Sequence, residues 1–305
     1  MACSCFLTAT CPENCVIESV VLPDPPNLNL ALVNPATRNY KLLPVSPIEY
    51  PVCYSKTKCE FITYGFGYDS VHDDYNVVRI AQFPDVKMNE VKIYSLKFNE
   101  WRRGDDFPYR LGCTTQAVYL NDALHWMATI PTQFGFDLPT SVAFDLATQE
   151  YRLIPKPPYS GFSEFMEILT VLGGKLCMNR NYDMRHIDMW VMESYGVGES
   201  WTKILKIVQN VDLQFMQLKP LVYSNNGKKV LLLKDGGELI WYDLELKVIK
   251  MESNPVIPDF WRAYVSLESL VKLNSGPNTG LPRVQRKMKK SKLDDFLSKG
   301  FRLVL

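Results

Sequence analysis

Three histidines, eight cysteines and one glycine-containing stretch are the residues of this sequence whose types and spacing could support chemistry. Histidine works as a general acid or base near neutral pH when a neighbouring group fixes its tautomer. With only His72, His125 and His186 present, few such constellations can be built. His125 stands in the apolar stretch LHWMA beside Trp126, which predicts a packed position; His72 opens the run His72-Asp73-Asp74, which predicts a solvated turn. Cys3, Cys5, Cys11 and Cys15 crowd the start, but their C-x-C and C-x3-C spacings lack the paired knuckles of a zinc site. Cys53, Cys59, Cys113 and Cys177 are scattered, and reduced thiols are expected. The stretch YGFGYDS, Tyr64 to Ser70, has glycines of the kind that cradle phosphate, yet no Lys-Ser or Lys-Thr follows and a strand comes next. A bend leading into that strand is expected instead. With no G-x-S-x-G elbow, H-E-x-x-H helix or calcium loop, the reading is a non-catalytic protein without metal or cofactor.

The composition narrows the partners. A chain of 305 residues, 47% hydrophobic, can bury a large core, and a formal net charge of +1 removes the broad attraction on which non-specific nucleic-acid or membrane-surface binding depends. MACSCFLTATC has no basic leader and no segment approaches the ~18 apolar residues of a spanning helix, so a cytoplasmic or nuclear protein is expected. Near the other end RVQRKMKKSK, Arg283 to Lys292, reads as a solvated connector, with a nuclear-localisation or anionic-surface role as the alternative.

Two series of turn signals organise everything between. In the first, His72 to Asp74, Asn121-Asp122, Gly173-Gly174 and Asn225 to Gly227 each separate two short runs rich in β-branched, aromatic and aliphatic residues. Asn, Asp and Gly tolerate the positive φ that tight hairpins need. In the second, an Asn, Ser or Asp is followed six places on by an aromatic or apolar residue: Asn34 to Tyr40, Ser95 to Trp101, Asp145 to Tyr151 and Asp243 to Ile249. A fifth copy, WVMESYGVGESWTKI, fits with an enlarged loop that delays Trp201. The series is written most plainly in LVNPATRNYKLLP, Leu32 to Pro44, and its echo AFDLATQEYRLIP, Ala143 to Pro155.

Asn121, Gly173 and Asn225 fall 52 residues apart. Each period holds two hairpins, hence four short strands, and four-stranded repeats of 40 to 50 residues are the mark of propeller blades. The fold class is therefore all-β, a kelch-like β-propeller of about five or six four-stranded blades, with a β-sandwich as the alternative. A C-terminal strand such as AYVSLESLVKL would close the ring on the first blade. Residues 1–29 read as an irregular segment with the first blade's strands, 30–275 as the propeller, and 276–305 as the basic linker with a C-terminal docking segment.

In an up-and-down blade both turn series fall at one end, so every other connection falls at the opposite end. Those connections are longer and rich in aromatics, Arg, Asp and Pro, and aromatic and Arg side chains are common interface anchors. The expected protein-binding face is framed by Tyr50, Tyr54, Phe83, Tyr109, Arg110, Phe134, Phe136, Tyr159, Phe162, Tyr182, Arg185 and Trp261. The repeated aromatics Tyr40, Trp101, Tyr151 and Trp201 take the opposite assignment: structural packing between blades.

NPATRNYKLLP, YGFGYDSVHDDYNVVRI, VKIYSLKFNEW, LNDALHWMA, AFDLATQEYRLIP, DMWVMESYGVGESWTKI and LVYSNNGKKVLLL, in this order, resemble the plant F-box-associated domain of kelch-like and S-locus F-box proteins. The resemblance spans roughly residues 30 to 272. It implies the target-recruiting module of an SCF-type E3 ubiquitin ligase, in which an F-box grips the Skp adaptor, and through it the cullin, while the associated domain holds the target protein. MACSCFLTATCPENCVIESVV does not read as an F-box, so the chain is either a fragment or an F-box-less paralogue, and adaptor and cullin are expected as partners only if an F-box is supplied. A propeller enzyme or a sugar-binding protein is the alternative reading.

Overall fold

Short apolar runs divided by turn-forming residues become, in the computed structural model, strands and little else. The structure describes residues 6–7, 18–21, 30–34, 39–49, 59, 61–83, 89–112, 116–131, 137–159, 166–183, 185–209, 215–235, 238–250, 264–267 and 301–304. The first sheet runs β1 (Phe6–Leu7), β2 (Glu18–Val21), β3 (Leu30–Asn34) and β4 (Asn39–Leu42); the second β5 (Phe61–Asp69), β6 (Asp74–Gln82), β7 (Glu90–Ser95) and β8 (Glu100–Arg103). The third holds β9 (Arg110–Leu111), β10 (Val118–Leu120), β11 (Ala123–Pro131), β12 (Asp137–Asp145) and β13 (Tyr151–Ile154). The fourth is β14 (Met166–Leu172), β15 (Lys175–Tyr182), β16 (His186–Met192) and β17 (Trp201–Val208), and the fifth β18 (Leu218–Tyr223), β19 (Lys229–Lys234), β20 (Glu238–Asp243) and β21 (Val248–Lys250). Each is an antiparallel meander in chain order, except that in the third sheet β9 lies off the path and pairs with β11. β22 (Tyr264–Leu267), from the AYVSLESLVKL segment, pairs with β23 (Phe301–Val304).

The turn residues act through their backbones. Asn121 and Asp122 both take positive φ (51° and 57°), as do Gly173 and Gly174 (59° and 73°), which is the conformation of a two-residue type I′ hairpin. The second series is built alike in three sheets: the amides of Asn99, Gln149 and Lys247 donate to the carbonyls of Ser95, Asp145 and Asp243. Its first residue caps the turn. Asp145 Oδ1 accepts from the amides of Ala147 and Thr148, and Asp243 Oδ1 from those of Glu245 and Leu246. Ser95 is shorter and shares the task, its hydroxyl accepting from Phe98 while Asp74 takes the amide of Lys97. In the fourth sheet the enlarged loop contains a 3₁₀ turn, Gly198–Ser200, immediately before Trp201. Both series meet at one end of a sheet, where Leu146 N donates to Asp122 O and Leu244 N to Lys228 O.

The strands form two compact units, one holding β1–β13 and the other β14–β23. In the first, Leu32, Phe66, Val77, Tyr94, Phe107, Trp126 and Phe144 are buried together; in the second, Leu172, Met189, Phe215, Leu218, Leu232 and Ile240. Middle strands such as β6, β7 and β19 are buried along almost their whole length, as strands covered on both faces must be, whereas the fourth strands β8 and β13 are largely exposed.

YGFGYDS differs from the bend expected of it. Phe61–Asp69 is one continuous strand, and its glycines make room for the third sheet. A Cβ on Gly65 would lie 2.7 Å from Leu124 and 3.0 Å from Trp126; one on Gly67 would overlap the ring of Tyr119 and lie 2.8 Å from Leu146. The motif is therefore a packing notch.

Candidate functional site

Two of the described segments that leave a sheet's fourth strand are strapped down. Arg79 on β6, Lys92 on β7 and Arg103 on β8 are direct cross-strand neighbours, an arrangement in which like charges repel. The segment after β4 resolves it. Arg79 donates to the carbonyls of Ser46 and Pro47 and pairs with buried Glu90 at 2.5 Å, Lys92 reaches Pro47 O at 2.9 Å, and Glu49 lies 2.7 Å from Lys92 and 3.4 Å from Arg103. Residues 43–49 thus cross the second sheet as an ionic strap. A second strap follows β13, where Lys156 pairs with buried Glu167 and the Tyr159 ring covers Arg180, whose Cζ is 4.0 Å from the ring centre. Burial pushes the Lys156 amine below and the Tyr159 phenol above their ordinary values.

Around that second strap the fourth sheet carries the candidate site. Direct cross-strand partners share a face, so register lays out rows across it. One row is Glu167, Arg180, Asp188 and Lys206; the next is Tyr182, His186 and Val208. Tyr159 covers the first row, its hydroxyl donating to Met178 Sδ and its ring edge-on to Trp190 at 6.3 Å. Among the described residues, the strap does not extend over the second row. Tyr182 and His186 stack at 4.3 Å and both stay half-buried, Val208 is 66% exposed, and Arg185 and Lys206 are exposed beside them. Lys203 is engaged by Asp188 at 2.6 Å. Burial, helped by Lys206 and Lys203 and opposed by Asp188, lowers the His186 pKa, which favours the neutral form of the ring stacked on Tyr182. The site offers a stacked aromatic pair, with Arg180 Cζ 5.0 Å from the Tyr182 ring centre, an apolar contact at Val208 and two exposed cations.

The expected binding residues are placed unequally. Tyr159, Tyr182 and Arg185 come together here, at the end of the sheet opposite its turns. Tyr109 and Arg110 lie half-buried in the other unit, the Tyr109 ring against Phe107 at 5.4 Å. Phe83 corrects the expectation: it is 1% exposed and frames no open face. Asn89 Oδ1 accepts the Phe83 amide while Asn89 Nδ2 binds the carbonyls of Phe107 and Tyr109, which ties the Phe83 backbone to that buried segment. Tyr50, Tyr54, Phe134, Phe136, Phe162 and Trp261 lie outside the described residues, as do the four N-terminal cysteines and the basic tail. Sequence reasoning missed Arg180, His186, Lys206 and Val208. The available signal was the charges Glu167, Arg180 and Asp188 within three successive strands.

The repeated aromatics reach across sheets. Trp101 Nε1 donates to Pro44 O, Tyr151 Oη to Asp105 O and Trp201 Nε1 to Pro155 O, in each case a carbonyl just past the preceding sheet's fourth strand. Tyr40 is half-buried. His125 is wholly buried, donating from Nδ1 to Val118 O at 3.0 Å, and burial lowers its pKa to about 4. His72 pairs with Asp69 in an exposed turn. Burial pushes the Cys177 thiol up to about 12, which leaves it inert.

Comparison with known proteins agrees with this architecture. The model of the F-box associated beta propeller domain matches residues 20–266. The F-box protein CPR1 of Arabidopsis thaliana is 34% identical over 314 residues, covering 91% of this chain and 74% of that protein, and the Arabidopsis F-box protein At4g22390 is 32% identical with the same coverage. The Arabidopsis F-box/kelch-repeat protein At3g23880 is 32% identical over 67% of this chain and 53% of its own. With five successive four-strand meanders and a family match spanning most of its length, the chain belongs to the F-box associated β-propeller domain family.

Proposed function

We propose that this domain recognises target proteins for an SCF-type ubiquitin ligase, acting without catalysis of its own and holding the target on the open row of the fourth sheet. The observation that carries the reading is the Tyr182–His186 platform flanked by Val208, Lys206 and Arg185, left uncovered by the strap that covers the row beside it. Aromatic and cationic anchors on a rigid sheet suit protein recognition, since little ordering cost opposes binding. On this reading residues 30–275 are the recognition domain, the Skp adaptor and cullin are reached through an F-box, and the setting is cytoplasmic or nuclear. No helix among the described residues is long and apolar enough to cross a membrane.

The test is quantitative affinity purification of the tagged chain from plant cells, comparing wild type with the double variant Tyr182→Ala, Arg185→Glu. A defined set of proteins lost from the variant, and accumulating when the ligase is inhibited, is the expected result. Retention of the same set by a variant with unchanged melting temperature would overturn the placement; captured proteins whose turnover ignores ligase inhibition would overturn the ligase role.

A further inference from the structure

Resting on the target-recognition reading, we infer that the free edge of β17 takes an extended, acidic segment of the partner by strand addition. Fourth strands in this chain are short: β4, β8 and β13 have four residues each and β21 three. Short edges are a usual defence against unwanted pairing. β17 breaks this pattern with eight residues, and among the described strands β16 alone pairs with it.

Register shows which backbone groups are on offer. Antiparallel pairs alternate between those that exchange hydrogen bonds and those that do not. The Gln209 amide donates to the Arg185 carbonyl at 2.9 Å, so that pair exchanges; His186–Val208 then does not, Ile187–Ile207 does, and Asp188–Lys206 does not. The amides and carbonyls of Lys206 and Val208 therefore point away from β16, toward an incoming strand. A register shift between Met189 and Trp190 places the extra residue Ile204 on β17, which leaves Leu205 to Val208 as the straight part of the edge.

Charge selects the occupant. Lys206 and Arg185 are exposed and Lys203 is spent on Asp188, while the one carboxylate in the adjoining turn is Asp183. Two copies of this edge would set lysine against lysine, so self-pairing is opposed. Side chains two places apart on an added strand share a face, so a segment with Asp or Glu at one position and an apolar residue two places on sets the acid against Lys206 and the apolar side chain against Val208 and the Tyr182–His186 pair beside it. Main-chain hydrogen bonds then supply affinity and the alternating side chains specificity.

The experiment uses the full chain and three eight-residue peptides: one carrying Glu and Phe two places apart along one face with Val at the positions between, its Lys-for-Glu counterpart, and the acidic peptide N-methylated on alternate amides. Binding is followed by fluorescence anisotropy and by hydrogen exchange at Lys206 and Val208. The acidic peptide should bind at least tenfold more tightly than either of the others and slow exchange of both amides at least tenfold; Lys206→Glu should reverse the charge preference. Val208→Pro removes one outward amide without touching the β16 ladder, so it should weaken the acidic peptide tenfold at unchanged melting temperature. Equal affinity for the N-methylated peptide, or binding without protection of Lys206 and Val208, would overturn strand addition. So would the absence of acidic-peptide binding in a chain that still captures its targets, and that result would leave the target-recognition reading standing.

Discussion

The indole N–H of Trp101 donates to the carbonyl of Pro44 at 2.8 Å, and that of Trp201 repeats the bond to Pro155 at the same distance. Pro44 and Pro155 are the closing residues of the two matching stretches LVNPATRNYKLLP and AFDLATQEYRLIP. The repeated motif therefore ends in an acceptor for the aromatic residue that the next sheet's copy supplies. In the fifth sheet the aligned residue is Ile249, which has no donor.

Removing the donor alone should have a small, measurable effect. Trp101→Phe is expected to lower stability by about 1 kcal/mol, the net worth of one hydrogen bond. Because Trp101 is only half-buried, Trp101→Ala should cost roughly 2–3 kcal/mol, short of the ~3–5 typical of fully buried rings. Urea unfolding followed by fluorescence and circular dichroism checks both values, and peptide or target affinity should not change selectively.

The two carboxylates at the first strap, Glu49 on it and Glu90 beneath it on β7, should respond very differently. Glu90→Gln leaves the Arg79 guanidinium buried beside a neutral amide and should destabilise by about 3 kcal/mol. Glu49 is 57% exposed, and Glu49→Gln should barely move the urea midpoint while making residues 43–49 more susceptible to limited proteolysis. Equal losses for the two variants would contradict the strap geometry.

Adding one methyl group to the notch in β5 should be costly. Gly65→Ala and Gly67→Ala force Leu124, Trp126, Tyr119 or Leu146 out of place, at roughly 1–3 kcal/mol each. Gly174→Ala is a control of another kind, since nothing lies within 4 Å of its added carbon and only its φ of +73° opposes the change. Thermal melts of the three variants separate crowding from backbone strain.

His125 makes stability depend on acid. Its pKa is about 4 in the folded chain against 6.5 when unfolded, so between these values the unfolded state binds the extra proton and stability falls with falling pH. The contribution is complete above pH 6.5 and about 3 kcal/mol is lost by pH 4. His125→Asn keeps an N–H for the Val118 carbonyl and should remove this slope in urea titrations run from pH 7 to pH 4.

How much of the site was legible follows from the range of the interactions. Tyr159, Tyr182 and Arg185 were expected because they sit in connections rich in aromatics and arginine. Phe83 sits in such a connection too, and its burial depends on Asn89 gripping Phe107 and Tyr109 about 20 residues on. Lys206 and Val208 lie inside a strand whose alternation shows that one face is exposed but not that its edge is uncovered.

The sequence by itself determined the all-β class, the period of about fifty residues and the positions of the hairpins, because turn conformation is chosen locally by Asn, Asp, Gly and the capping oxygen of Asp145 or Asp243. Tertiary structure alone decided which connections become straps, which glycines are notches and which strand edge stays open. Those outcomes depend on pairs such as Arg79 with Ser46 and Trp101 with Pro44, brought together only after the sheets have packed, and no local residue pattern encodes a bond from a side chain to a carbonyl 33 or 57 positions away.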